Sequence, residues 1–188
     1  MRFQLKNKSL LGSFGLLALL VLVNASCYKG GRVDIIYELE PDAVLIHYIA
    51  DAELNLYNDQ PHALTLVIYQ LTMPDLYYKY KSEKNGLEEL LRLEVDDTSI
   101  TGTNRIDIQP SDGKTVKFAR YTGTKYVAII AGYNSLENSQ VSEIFKIPTK
   151  TKKRLFRKPS ATIEKLDIHL QLGPKQIDKI AANDKIRP

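Results

Sequence analysis

Residues 165–172 read Lys165-Leu166-Asp167-Ile168-His169-Leu170-Gln171-Leu172, and their unbroken alternation decides the fold. In an extended chain, successive side chains point to opposite sides. Leu166, Ile168, Leu170 and Leu172 therefore share one side, and Lys165, Asp167, His169 and Gln171 share the other. A strand with one apolar and one wet side belongs to a sheet that covers a core with one face and meets water with the other.

Working outward, the same period recurs. Val44, Ile46 and Tyr48 alternate with Leu45, His47 and Ile49. Leu64, Leu66 and Ile68 alternate with Thr65, Val67 and Tyr69, and Ile106 and Ile108 alternate with Arg105, Asp107 and Gln109. Val116 and Phe118 flank Lys117, and residues 143–147 form a short run that ends at Pro148. Residues 125–131 (KYVAIIA) are apolar on both sides, as in a central strand. Turn signals fall between these runs at Asp112-Gly113, Thr122-Gly123 and Gly132-Tyr133-Asn134. Two segments depart from the pattern. Pro74 to Leu93 carries Leu87, Leu90 and Leu91 at helical spacing behind Tyr77, Tyr78 and Tyr80, which predicts one or two short helices inserted between strands. After Gly173, Pro174 suits the first turn of a helix, and Ile177, Ile180 and Ala181 supply a short apolar stripe. The reading is an all-β chain: an antiparallel β-sandwich with a short helical insertion and a short C-terminal helix.

The N-terminus follows a different logic. Arg2, Lys6 and Lys8 precede an apolar run from Leu10 to Val23, and then come Asn24, Ala25, Ser26 and Cys27. Charged, apolar and small residues in that order make a secretory signal peptide. The run falls short of the roughly 20 apolar residues that span a bilayer. Cys27 is the single cysteine of the chain. A thiol without a partner is a liability in an oxidising compartment, and acylation removes it. The expected organisation is a lipoprotein signal peptide over 1–26, an acylated tether over 27–42 loosened by Gly30 and Gly31, and a single sandwich domain over 43–188.

Composition excludes more than it selects. The chain holds 26 basic and 22 acidic side chains, three of the basic ones in the signal. The pI of about 9.0 thus derives partly from a discarded segment, and it argues weakly for nucleic acid. The surviving basic run, Lys150, Lys152, Lys153, Arg154, Arg157 and Lys158, has only Phe156 among it, too little for base stacking. It reads first as a solvated turn between two strands, and second as a contact for an acidic partner or lipid headgroups. Catalytic signatures are sparse. His47, His62 and His169 lie on separate segments with no metal-ligand spacing, and no GxSxG elbow or glycine-rich phosphate loop appears. His169 reads as a solvated side chain, His47 as a satisfied core or edge residue, and His62 as a loop residue. Asp96-Asp97 and Glu88-Glu89 are adjacent pairs that do not converge on one substrate. No enzyme, cofactor, metal ligand or small-molecule substrate is expected.

A family resemblance emerges from the order of these pieces. Ala50-Asp51-Ala52-Glu53-Leu54-Asn55 precedes a polar loop, and that loop leads to Leu64-Thr65-Leu66-Val67-Ile68-Tyr69-Gln70-Leu71. The helical insertion, Gln109-Pro110 and Lys125 to Tyr133 follow. With Cys27 in a lipobox-like setting, this order resembles the TssJ family, outer-membrane lipoproteins of type VI secretion systems. The resemblance implies a transthyretin-like β-sandwich, held by acyl chains on Cys27 at the periplasmic face of the outer membrane. It implies binding to the periplasmic domain of a TssM-like inner-membrane protein, which anchors and braces an envelope-spanning complex. The partner-binding residues would lie in the loop between the first two strands: Leu56, Tyr57, Asn58, Asp59, Gln60, Pro61 and His62. Asn58-Asp59 suits a turn, Pro61 restricts the loop, and Tyr57 and His62 offer contact groups. The competing reading is a pilotin-like or carrier lipoprotein that binds a peptide or small ligand between its sheets, for which a large apolar cavity would be needed.

Overall fold

The structure is a computed structural model that describes residues 35–137, 139–154 and 157–184. Among the described residues, ten strands and two short α-helices follow one another in the order β1 (Glu40–Ala50), β2 (Leu64–Leu71), α1 (Asp75–Ser82), α2 (Gly86–Arg92), β3 (Ile100–Ile108), β4 (Gly113–Arg120), β5 (Tyr126–Ala131), β6 (Ser142–Lys146), β7 (Thr149–Arg154), β8 (Arg157–Ile163), β9 (Leu166–Leu172) and β10 (Ile177–Ala182). They form two four-stranded sheets, ordered β10-β9-β1-β4 and β3-β2-β5-β6, and a separate β7-β8 hairpin. All pairings are antiparallel except β1 with β9, which run parallel from Val44↔Leu166 to Ala50↔Leu172.

The alternating side chains meet between the sheets. Val44, Ile46 and Tyr48 of β1 and Leu166, Ile168, Leu170 and Leu172 of β9 face Leu64, Leu66 and Ile68 of β2 and Val127 and Ile129 of β5, all buried in one cluster. Tyr37, ahead of β1, is buried in the same cluster, and Ile35 packs against it, while Ile36 is exposed. At one edge the sheets are also tied by polar bonds. Gln70 is fully buried on β2; its amide donates to the Ala119 carbonyl at 2.7 Å, and its oxygen accepts from the Tyr121 N–H and the Thr124 hydroxyl at 3.0 Å each. A buried amide is tolerated because its donors and acceptors are matched across the gap. Arg120, buried at the end of β4, meets Glu40 at 2.8 Å and so fastens the start of β1.

The inserted helices cover the outward face of the second sheet. Val67, Tyr69 and Leu71 of β2 and Ala128 and Ile130 of β5 pack beneath Leu76, Tyr77 and Leu90. Tyr69 donates to the Leu90 carbonyl at 2.7 Å, beside the Leu93 N–H that caps the same carbonyl at the end of α2. Burial pushes its phenol up to about 12.

One expectation is corrected. The residues after Pro174 form no C-terminal helix; Ile177 to Ala182 make β10, antiparallel to β9. The stripe Ile177, Ile180, Ala181 fits a helix on paper. The unpaired edge of β9 offers a full row of backbone partners to this segment, and pairing outweighs a weak local preference. The basic run sits on the β7-β8 hairpin, where Lys150 and Lys152 are exposed.

Candidate partner-binding surface

The loop from β1 to β2 is built in two tight steps. In the first, the Leu54 N–H donates to the Asp51 carbonyl at 3.2 Å and the Glu53 N–H to the Asp51 carboxylate at 2.8 Å. Leu54 is fully buried and anchors the loop to the core. Asn55 then takes a positive φ of 48°, which asparagine tolerates better than most residues. Its side chain donates to the Ala63 carbonyl at 3.0 Å and accepts from the Asn134 N–H at 2.8 Å, so it clamps both ends of the loop to the β5–β6 connection. The Leu56 N–H donates to the Pro174 carbonyl at 2.7 Å, and the His62 N–H to the Leu54 carbonyl at 2.9 Å.

The second step is a miniature hairpin. Tyr57 and Gln60 exchange both backbone bonds, at 2.9 and 3.0 Å. Asn58 and Asp59 between them have φ of 49° and 56°. Two consecutive positive φ values mark the turn type whose twist suits a two-residue hairpin, and Asn and Asp are among the few side chains that accept it. His62 Nδ1 meets the Gln60 carbonyl at 2.8 Å, which makes that nitrogen the donor. The Tyr57 and His62 rings meet edge to face at 6.2 Å.

Of the seven loop residues expected to bind a partner, Tyr57, Asn58, Asp59, Gln60, Pro61 and His62 are exposed together at this tip, and Leu56 is half-buried beneath them. Tyr57 keeps 49% of its surface exposed. The tip is therefore a pre-ordered projection that presents an aromatic pair and loses little freedom on contact. Cys27, the expected acylation site, lies outside the described residues.

Sequence reasoning missed the platform under the tip. The turns β3–β4, β5–β6 and β9–β10 gather at the same end: Tyr48 donates to Asp112 at 2.8 Å, and Tyr133 to the Gln176 carbonyl at 2.7 Å. The bond from Tyr48 holds the Asp112 carboxyl below its ordinary range, and burial pushes the Tyr133 phenol well above its own. Each of these bonds joins residues far apart in sequence, so no local motif announces it.

Between the sheets the buried side chains of both inward faces form one apolar cluster. Three hollows among the described residues are open surface grooves. One of about 520 Å³, between the α1–α2 turn and the β5–β6 loop, is lined by Lys81, Glu83, Lys84, Glu88 and Glu137 among others. A charged open groove does not supply the apolar cavity that a carrier would need.

Comparison with solved structures finds the same sandwich. The T6SS lipoprotein TssJ1 from Pseudomonas aeruginosa superposes with a TM-score of 0.55 at 14% identity, covering 81% of this chain and 99% of that one. Serratia marcescens Lip, a membrane-bound component of the type VI secretion system, gives 0.54 at 15% identity over 76% and 98%. A chain in the structure described as the T6SS protein TssM C-terminal domain from EAEC gives 0.50 at 10% identity over 78% and 98%. Comparison with curated proteins yields no match. The T6SS-SciN family model, described as type VI secretion lipoprotein (VasD, EvfM, TssJ), matches residues 42–174, from the start of β1 to the turn after β9. With that match spanning both sheets and the loop, the chain belongs to the TssJ family of type VI secretion lipoproteins.

Proposed function

We propose that this chain anchors and braces the envelope-spanning membrane complex of a type VI secretion system, binding the periplasmic domain of a TssM-like inner-membrane protein through residues 56–62. The observation that carries the reading is the hydrogen-bonded hairpin tip, with Tyr57 and His62 exposed on a family sandwich built around a buried apolar core. The occurrence of this fold in a structure described as a TssM C-terminal domain supports a TssM-type partner. Acyl chains on Cys27 would hold the domain at the periplasmic face of the outer membrane; no helix among the described residues is long and apolar enough to cross a membrane. Several acyl chains give durable attachment where one gives little.

The test compares two triple variants. Alanine at Tyr57, Asp59 and His62 is expected to weaken binding to the periplasmic domain of a TssM-like protein and leave folding intact. Most of the loss should come from Tyr57, since interface energy concentrates in a few aromatic or arginine anchors. Alanine at Lys152, Lys153 and Arg154 is expected to change little at either low or high salt. Unchanged affinity in the loop variant, with salt-sensitive loss in the basic one, would move the partner to the β7-β8 hairpin, because exposed charges are screened within about 8 Å at physiological ionic strength.

A further inference from the structure

The outward side of the β10-β9-β1-β4 sheet carries a donor cluster that neither the core nor the loop uses. Asp167 and His169 are two residues apart on β9 and so share a face. The parallel register sets His47 of β1 directly opposite His169. Their rings stack with centroids 4.4 Å apart and planes 9° from parallel. Nε2 of each lies 3.1 Å from the same oxygen, Oδ1 of Asp167.

That oxygen is the telling atom. It is shielded from solvent, yet neither imidazole meets it with the angles of a hydrogen bond, and it has no other partner. A shielded carboxylate oxygen left unpaired costs free energy unless a cation shares it. Here two imidazole nitrogens stand beside it, and the three donor atoms lie within 4.8 Å of one another. Imidazole and carboxylate together suit zinc and its first-row neighbours. Zinc takes both donors at about 2.0–2.2 Å, so two of its ligand atoms at a tetrahedral angle stand about 3.3–3.5 Å apart. The observed spacing of 3.1 Å is within a few tenths of that.

A second observation concerns orientation. Thr115, opposite His47 on β4, places its hydroxyl 2.7 Å from His47 Nδ1. With Nδ1–H donating to that oxygen, Nε2 keeps its lone pair and faces Asp167. Metal-binding histidines are commonly held in this way through the nitrogen that does not bind the metal. His47 is thus fixed, and His169, whose side chain is 61% exposed, is the ring that turns to bring its lone pair onto the same point.

We propose that His47, Asp167 and His169 form a surface site for a divalent first-row transition metal of the zinc class, with Thr115 as the positioning residue. Three protein donors leave a fourth position for water. The site is on the face of the sheet, separate from the β1–β2 tip.

The test uses the full chain in detergent micelles, with Cys27→Ser so that no thiol competes, stripped with chelator and dialysed against zinc chloride. One zinc per chain is expected. His47→Ala, His169→Ala and Asp167→Asn should each weaken it by at least about 10-fold, and Thr115→Val by about 10-fold, the lower end of what such supporting groups contribute. His62→Ala should leave it unchanged. Circular dichroism without zinc checks folding, and if His47→Ala fails to fold, the more exposed His169→Ala carries the test. Absence of stoichiometric zinc, zinc binding that survives His169→Ala, or loss confined to His62→Ala would each overturn the proposal.

Discussion

The two sheets present outward faces of opposite character. On β2 and β5 the outward side chains are Val67, Tyr69, Ala128 and Ile130, buried beneath α1 and α2. On β1 and β9 they are Leu45, His47, Ile49, Asp167, His169 and Gln171, half-buried or exposed, and no helix among the described residues lies over them. The inward faces are alike. The period of the residues thus records whether a sheet bears a second layer: alternation marks a face left to water, and a run apolar on both sides marks a face that is covered. The covered face draws stability from burial. The bare face contributes little stability, so its residues are available for other chemistry.

The comparison can be broken most directly with isoleucine. Ile130 is fully buried under the helices, and Ile130→Ala should cost about 2–5 kcal/mol in urea melts. Ile49 is 70% exposed on the bare face, and Ile49→Ala should stay within about 0.5 kcal/mol. Equal losses would mean that the bare face is covered in solution. A smaller effect sharpens the covered side. Tyr69→Phe removes one of the two hydrogen bonds to the Leu90 carbonyl, which keeps the Leu93 N–H, at a cost of about 0.5–1.5 kcal/mol. It should also change the alkaline limb. The phenol ionises near 10 when unfolded and near 12 when folded, so the fold holds its proton more tightly; the stability this supplies is complete below pH 10 and is lost as pH rises through 12. Melts of the phenylalanine variant over that window should show a shallower loss than wild type, and identical slopes would count against the burial of Tyr69. Smallest of all, His169→Ala without metal should shift stability by no more than about 0.5 kcal/mol. A larger loss would show that the stacked pair on the bare face is structural.

Much of this was legible in the residues because burial imposes period. Leu166 to Leu172 show the expected pattern, with the leucines and Ile168 buried and His169 and Gln171 exposed. Leu87 and Leu90 placed α2. What escaped depends on partners distant in sequence. Ile177 to Ala182 carry a stripe compatible with either helix or strand, and the free edge of β9 decides. The β7 and β8 strands are so rich in charge that apolar period cannot mark them. His47 and His169 read as unrelated until a parallel register sets them side by side. In the loop, Asn58-Asp59 announced the turn through its tolerance of positive φ, whereas the clamp from Asn55 to Asn134 joins two connections and has no local sign.

The parallel pairing of β1 with β9 has a consequence for the order of events as the chain is made. Synthesis runs from the N-terminus, so β1 is finished long before the strand that must lie beside it. Between them comes the whole of the β3-β2-β5-β6 sheet. Until β9 emerges, the first sheet lacks its central seam, and β10 has nothing to join. Closure therefore waits on the longest-range pairing in the molecule, and such pairings place a domain among the slower folders, in the range of about milliseconds to seconds. During that interval the inward face of the β3-β2-β5-β6 sheet lacks half of its cover, and the domain locks only when its last strands arrive.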